Sequence, residues 1–378
     1  MQLFQTIINY LLVGLFLVQS ALGLPIQSLL FRFDAKASVF ETGDDMYTVM
    51  WSTTCPGSGY VTYTFNGKEF IVTDQENGNI RSTDTIHSVR VPKAHLDHNT
   101  YVYHSQLVAT KQAYSAVKGG TISSEPVRFN GYGEQEEIHV LTLSDIHENP
   151  NPVDEAIANF KDKADLLVLN GDITSSMVSS KTFLKVLQYA YRYSGGQIPV
   201  AYTRGNHETR GEFASEMPKY FKTTTGGLFY TFRFGSLQFL ALDSGEDKED
   251  SHKEYSGLVD FTSYIAEETK WLNALPSSSN AQASICLVHQ PDLEDRYGNN
   301  WLPLLTAWKT DAVICGHYHR LDLNFRAGTA PFFRIIDGGE SDSGFVATML
   351  IFKGSTMKAV SYDEKGTLCG EKAYTLTE

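Results

Sequence analysis

From Met46 onward the chain runs in short stretches of alternating apolar and polar positions. Met46 to Thr53, Tyr60 to Phe65, Ile86 to Val91 and Thr100 to Val108 are rich in β-branched and aromatic residues, the side chains that suit a pleated, half-buried surface. Pro56-Gly57, Asn66-Gly67, Asn77-Gly78 and Asp97-His98-Asn99 break these runs with residues that turns require. The pattern predicts an all-β sandwich over residues 25–130 with its aromatics, Trp51 included, in the core. Asn130-Gly131-Tyr132-Gly133 and the acidic stretch that follows predict an exposed linker over 131–137.

At Ile138 the period changes. Ile138 to Leu143, Leu166 to Leu169, Val200 to Thr203, Leu237 to Leu242, Ser284 to Val288 and Ala312 to Cys315 are short, almost purely apolar runs. Such runs predict strands buried on both faces. Val153, Ile157 and Phe160 recur at helical spacing behind Pro152, and 180–193 and 262–275 carry similar stripes. The segments 332–336, 345–352 and 357–361 predict a closing β meander. Residues 138–378 therefore predict an α/β domain.

Residues 1–23 predict a signal peptide. Tyr10 to Val18 is nearly all apolar and Ala21-Leu22-Gly23 offers a small-x-small cleavage pattern. Export follows, to the outside, a periplasm or a secretory lumen, with no stable membrane insertion after cleavage. Export permits oxidation of Cys55, Cys286, Cys315 and Cys369, but the sequence does not choose among their pairings. Cys286 and Cys315 lie in apolar runs and are expected as buried thiols. Thirty-one basic against 44 acidic residues leave a net charge of −13, which disfavours a polyanionic nucleic-acid partner. A positive site has to be made locally, and metal ions would make one.

Nearly every apolar run of the α/β region ends in polar residues that bind metals. These are Asp145-Ile146-His147, Gly171-Asp172, Gly205-Asn206-His207-Glu208, His289 and Gly316-His317-Tyr318-His319. Ligands of open α/β sheets bind beyond the carboxyl ends of the strands, so the five groups are aimed at one place. Imidazole nitrogens with carboxylate and amide oxygens suit zinc, iron or manganese. The glycines let the backbone turn sharply beside them.

This series resembles the calcineurin-like metallophosphoesterase superfamily. With the preceding β region it is similar to the purple acid phosphatase branch, a likeness supported by His87 to Val91 running on to Asn99 to Tyr103, by Trp271-Leu272 and by Gly338-Gly339. The resemblance implies a fibronectin-III-like sandwich followed by a four-layer α-β-β-α metallophosphoesterase domain. It implies one metal held by Asp145, His147, Asp172 and His319, and a second held by Asp172, Asn206, His289 and His317. His207 would assist the leaving group while a metal-bridging hydroxide attacks the phosphorus of a small phosphoester, with Glu208 orienting His207. His147 stands where that branch has glycine and Ser175 where it has a tyrosine ligand, so no ferric phenolate is expected. Asp292, Asp295, Arg296 and Tyr297 would line the substrate pocket. Arg204 and Arg210, flanking the His207 motif, would contact substrate or form surface salt bridges. The function expected first is phosphomonoester hydrolysis. Phosphodiester or nucleotide pyrophosphate hydrolysis on the same site, and an inactive extracellular binding module, are the alternatives.

Overall fold

The computed structural model describes residues 26–43, 45–113, 115–278, 280–341 and 344–376. The expected signal segment lies outside the described residues, and none of the described helices is long and apolar enough to cross a membrane.

The N-terminal region is built from β1 (Phe33–Glu41), β2 (Met46–Phe65), β3 (Lys68–Thr73), β4 (Asp84–Pro92) and β5 (Thr100–Lys111). β2 is one 20-residue strand where the sequence pattern predicts two. Its register slips between Ser52 and Gly57, around the Pro56-Gly57 expected to end it. Before the slip it pairs with β1 and β4, and beyond it with β3 and β5. One bent strand thus serves two layers, which enclose Val39, Tyr47, Trp51, Val61, Val89, Tyr101 and Tyr103. Asn66 and Gly67, with φ of 51° and 74°, make the turn into β3.

The α/β region follows with β6 (Ile138–Leu143), α1 (Pro150–Ile157), β7 (Leu166–Asn170), α2 (Ser180–Ser194), β8 (Pro199–Thr203), β9 (Tyr230–Phe234) and β10 (Leu237–Ala241). It closes with α3 (Phe261–Ala274), β11 (Ala283–Leu287), α4 (Leu302–Ala307), β12 (Ala312–Cys315), β13 (Phe333–Ser341), β14 (Gly344–Lys353), β15 (Thr356–Asp363) and β16 (Leu368–Thr375). β6, β7 and β8 run parallel, and β14 adds antiparallel to β6. β10, β11, β12 and β13 form a second parallel set, joined to the first where Gly339 of β13 pairs with Val346 of β14.

Alternation along these strands supplies three apolar layers. Val140, Val168, Phe239, Ile285 and Ile314 fill the space between the two strand sets. Leu141, Leu167 and Leu169 face outward under Val153 of α1 and Phe183 and Val186 of α2. Leu240, Cys286 and Val313 face outward on the other side, under Ile265 of α3 and Leu305 of α4. Both faces of each central strand are covered, which explains the unbroken apolar runs. The four cysteines are unpaired, Cys286 and Cys315 both buried.

The sequence pattern gave no notice of β1, β3, β9 and β16. β1 matters most, because it pairs in parallel with β8, Val39 beside Pro199 and Phe40 beside Val200. The sheet therefore runs from the N-terminal region into the α/β region, and Phe40, Met50 and Ile86 share one apolar cluster with α2. Phe40 is fully buried, its ring 5.4 Å from Phe221 and edge-on. Phe40→Ala is expected to cost about 3–5 kcal/mol, read from denaturant midpoints, with near-ultraviolet signals of both regions shifting together. Separate transitions for the two regions would contradict the shared core.

Candidate metal centre

Five strand ends of the α/β region meet at one point. Asp145 and His147 follow β6, Asp172 follows β7, Asn206 and His207 follow β8, His289 follows β11, and His317 and His319 follow β12. Asp145, His147, Asp172, His317 and His319 have left-handed backbones, with φ between 45° and 70°. That conformation is uncommon outside glycine, and its cost is borne where surrounding structure fixes it. The motif glycines provide the clearance. A Cβ on Gly205 would lie 2.1 Å from Oδ1 of Asp172, one on Gly171 2.6 Å from the His289 ring, and one on Gly316 2.7 Å from Oδ2 of Asp145.

Each buried aspartate uses one oxygen to tie two loops together and turns the other inward. Oδ2 of Asp145 accepts the His317 amide at 2.9 Å, and Oδ1 of Asp172 accepts the His207 amide at 2.9 Å. Oδ1 of Asp145 then lies 3.5 Å from Nε2 of His319 and 3.8 Å from Nε2 of His289. Oδ2 of Asp172 lies 3.1 Å from Nε2 of His289, 3.9 Å from Nε2 of His207 and 4.0 Å from Nε2 of His147.

Backbone carbonyls set the histidines. Nδ1 of His289 donates to the Asn170 carbonyl at 2.8 Å, Nδ1 of His319 to Glu340 at 2.6 Å and Nδ1 of His207 to Ser175 at 3.1 Å. A carbonyl only accepts, so these contacts put a proton on Nδ1 and leave Nε2 to face the cluster, as in histidines that bind metals. Nε2 of His147 and Nε2 of His319 are 3.4 Å apart, and Nδ1 of His317 is 3.0 Å from Oδ1 of Asn206. All seven residues expected to hold metal are brought together, with His207 beside them.

The donor set fits a divalent cation. Oδ1 of Asp145 is buried without a hydrogen-bond partner, a costly arrangement unless something positive lies beside it. Ligand atoms of Asp145, His147 and His319 lie within 4.8 Å of one another, as do those of Asp172, His289 and His317 and those of His147, Asp172 and His207. Burial opposes a charge on His289, yet the Asp172 and Asp145 carboxylates overcome it and raise the imidazole to about 10. Burial likewise pushes the Asp172 carboxyl up, but the facing His289 outweighs it and holds it well below the usual carboxylate range. His317 is pushed down to about 4 by burial and then by His289. The two carboxylates thus favour positive charge where they meet, at His289.

Several expectations about the surroundings are corrected. Glu208 does not touch His207. It is fully buried and accepts the amides of Asp172 at 2.9 Å, Thr174 at 2.8 Å and Gly205 at 2.9 Å, clamping the β7 and β8 loops together. Its burial lifts its carboxyl to about 7. The orienting partner of His207 is the Ser175 carbonyl. Arg204 is buried and paired with Asp243 at 2.8 Å, so it is not free to reach a substrate. Arg296 is also buried, its guanidinium spent on the Gln290 side chain and the carbonyls of Ser244 and Glu246. Asp295, Arg296 and Tyr297 do border a cleft of about 490 Å³, together with Glu246, Asp247 and Thr262. Asp292 instead pairs with Arg326 at 2.7 Å and accepts from the Tyr318 hydroxyl. Sequence reasoning missed Glu246, which sits 1% exposed and holds Arg210. Its only signal was an acidic, charged loop.

The model of the calcineurin-like phosphoesterase family matches residues 138–321. Over these residues the chain is similar to calcineurin-like phosphoesterases. Two uncharacterized proteins of Mycobacterium tuberculosis, Rv2577 and MT2654, are each 25% identical to it over 289 residues, 65% of this chain and 53% of theirs. The chain thus spans about half the length of the curated relatives it matches. The solved structure of PhoD has a similar fold, with a TM-score of 0.52 and 11% identity over 90% of this chain and 88% of that one.

The Gly205 clearance has a direct consequence. Gly205→Ala drives a methyl group into Oδ1 of Asp172, and metal affinity is expected to fall about 10–100-fold in a calorimetric titration. Unchanged affinity would show that Asp172 does not depend on this packing.

Proposed function

We propose that this chain is an exported phosphomonoesterase that works with two divalent cations. The observation that carries the proposal is the pair of buried aspartates, each with one oxygen fixed by a backbone amide and the other turned toward histidine Nε2 atoms. Asp145, His147, Asp172 and His319 would hold one cation, and Asp172, Asn206, His289 and His317 the other. Bound divalent zinc, iron or manganese would supply an activated water and a counter-charge for the phosphoryl oxygens.

The chain's own residues do the rest. The Ser175 carbonyl fixes the His207 ring so that Nε2, the atom nearer the cluster, is the one that can pass a proton to the departing oxygen. Glu208 keeps the Asp172 and Asn206 loops in register while charge shifts above them. Two carboxylates against two divalent cations leave a net positive centre, which draws a phosphate dianion to an otherwise acidic protein. The same acidity disfavours nucleic-acid polymers as partners, and the apolar segment before Pro25 is the basis for proposing export. The proposal keeps the N-terminal layers as a fibronectin-III-like sandwich over 25–130, joined by 131–137 to a four-layer catalytic domain over 138–378.

Chelation is expected to abolish hydrolysis of nitrophenyl phosphate, and added zinc, iron or manganese to restore it. His207→Ala is expected to lower kcat by about 10²- to 10⁴-fold with metal content unchanged by elemental analysis. Near wild-type turnover in that variant removes the role of His207. Faster hydrolysis of the bis-nitrophenyl ester than of the monoester would move the assignment to a phosphodiesterase.

A further inference from the structure

We propose that Arg210 binds a non-bridging oxygen of the phosphoryl group, held in place for this by Glu246. The proposal rests on the hydrolase function above and adds to it a substrate contact made by protein. Arg210 follows the short turn His207–Thr209, which brings its guanidinium back beside the His207 ring. Nη1 lies 3.2 Å from Nε2 of His207. The other edge of the guanidinium is fully used, because Nε donates to Oε1 of Glu246 at 2.6 Å and Nη2 to Oε2 at 3.0 Å. Such two-point pairing fixes the plane of an arginine, which a single contact cannot do.

Glu246 is itself immobile. It is 1% exposed, Oε1 accepts from the Thr209 hydroxyl at 3.0 Å, and its carbonyl accepts from the buried Arg296 at 2.8 Å. A surface ion pair needs none of this scaffolding. Glu246 and Asp247, the latter 3.5 Å from Nη2, offset the charge of Arg210, but they leave the Nη1 donors uncommitted except toward His207. What remains is a directional donor pair aimed at the space that Nε2 of His207 faces. When a phosphoryl group enters, Nη1 takes one of its oxygens, and Nε2 of His207, released from that contact, takes up a proton from solvent that it can give to the leaving oxygen. Recognition of the phosphoryl group then needs an arginine fork, not positive charge alone.

The test uses the full chain loaded with metal and inorganic phosphate as the probe. Phosphate affinity is measured directly by calorimetry and as competitive inhibition of nitrophenyl phosphate hydrolysis. Arg210→Ala is expected to weaken phosphate about 10–100-fold and to raise KM with metal content close to wild type, while the melting temperature falls because Glu246 loses its partner. Arg210→Lys is expected to recover only part of the loss, since a single ammonium cannot pair with Glu246 at two points and hold a separate nitrogen at the position of Nη1. If Arg210→Ala does not fold, Glu246→Gln serves instead and is expected to weaken phosphate several-fold. Phosphate affinity within about twofold of wild type in the folded variant overturns the proposal, as does a wild-type protein that binds no phosphate. Loss of phosphate binding in Arg210→Ala, in a wild type that cleaves no ester, upholds this contact and overturns the hydrolase function. Ester cleavage by wild type with unaltered phosphate binding in the variant does the reverse.

Discussion

Two carboxylates buried within reach of the same imidazole impose the main constraint on this structure. Oδ1 of Asp145 and Oδ2 of Asp172 both approach Nε2 of His289, and among the described residues no arginine or lysine pairs with either aspartate. Burying such a charge without compensation is expensive. The proton that the two carboxylates hold on His289 offsets part of that charge, and a cation among the inward-turned atoms would offset the rest. On the function proposed above, cation binding would be part of what stabilises the five loops, not an addition to a finished pocket.

The rest of the fold makes that cost bearable. Loops bearing left-handed aspartates and histidines would relax if they were free, so each is anchored behind by a strand with both faces covered. Between loops, the buried carboxylates act as cross-ties. Asp145 reaches the His317 loop, Asp172 reaches the His207 loop, and Glu208 gathers three amides from two of them. The N-terminal region joins the same construction through β1, which extends the sheet past β8 and covers α2 with Phe40. Its position is fixed by backbone pairing as well as by side-chain contact.

Much of this was legible in the sequence, for identifiable reasons. Strands covered on both faces leave uninterrupted apolar runs, and a parallel arrangement puts their polar followers at one end, so the convergence of Asp145, Asp172, His289 and His317 is legible without coordinates. Asn66-Gly67 announced its turn because few other residues accept that backbone. What escaped depended on distant partners. β1 shows no clean alternation, since one side meets the sandwich core and the other meets α2, leaving Val39 and Phe40 adjacent and both buried. The bend in β2 was taken for a boundary because Pro56-Gly57 signals a break whether a strand ends or only kinks. Glu208 was assigned to its neighbour His207 by adjacency, whereas a short turn sends its side chain back toward the Asp172 amide. Arg210 and Glu246 are 36 positions apart, and nothing local in either segment connects them.

The most direct measurement is anomalous diffraction from crystals of the full chain grown with zinc or manganese. The account predicts two strong peaks, both in contact with Asp172, one of them also bound by Asp145 and the other by His289. Peaks confined to other parts of the surface, with Asp145 and Asp172 free of metal, would contradict it.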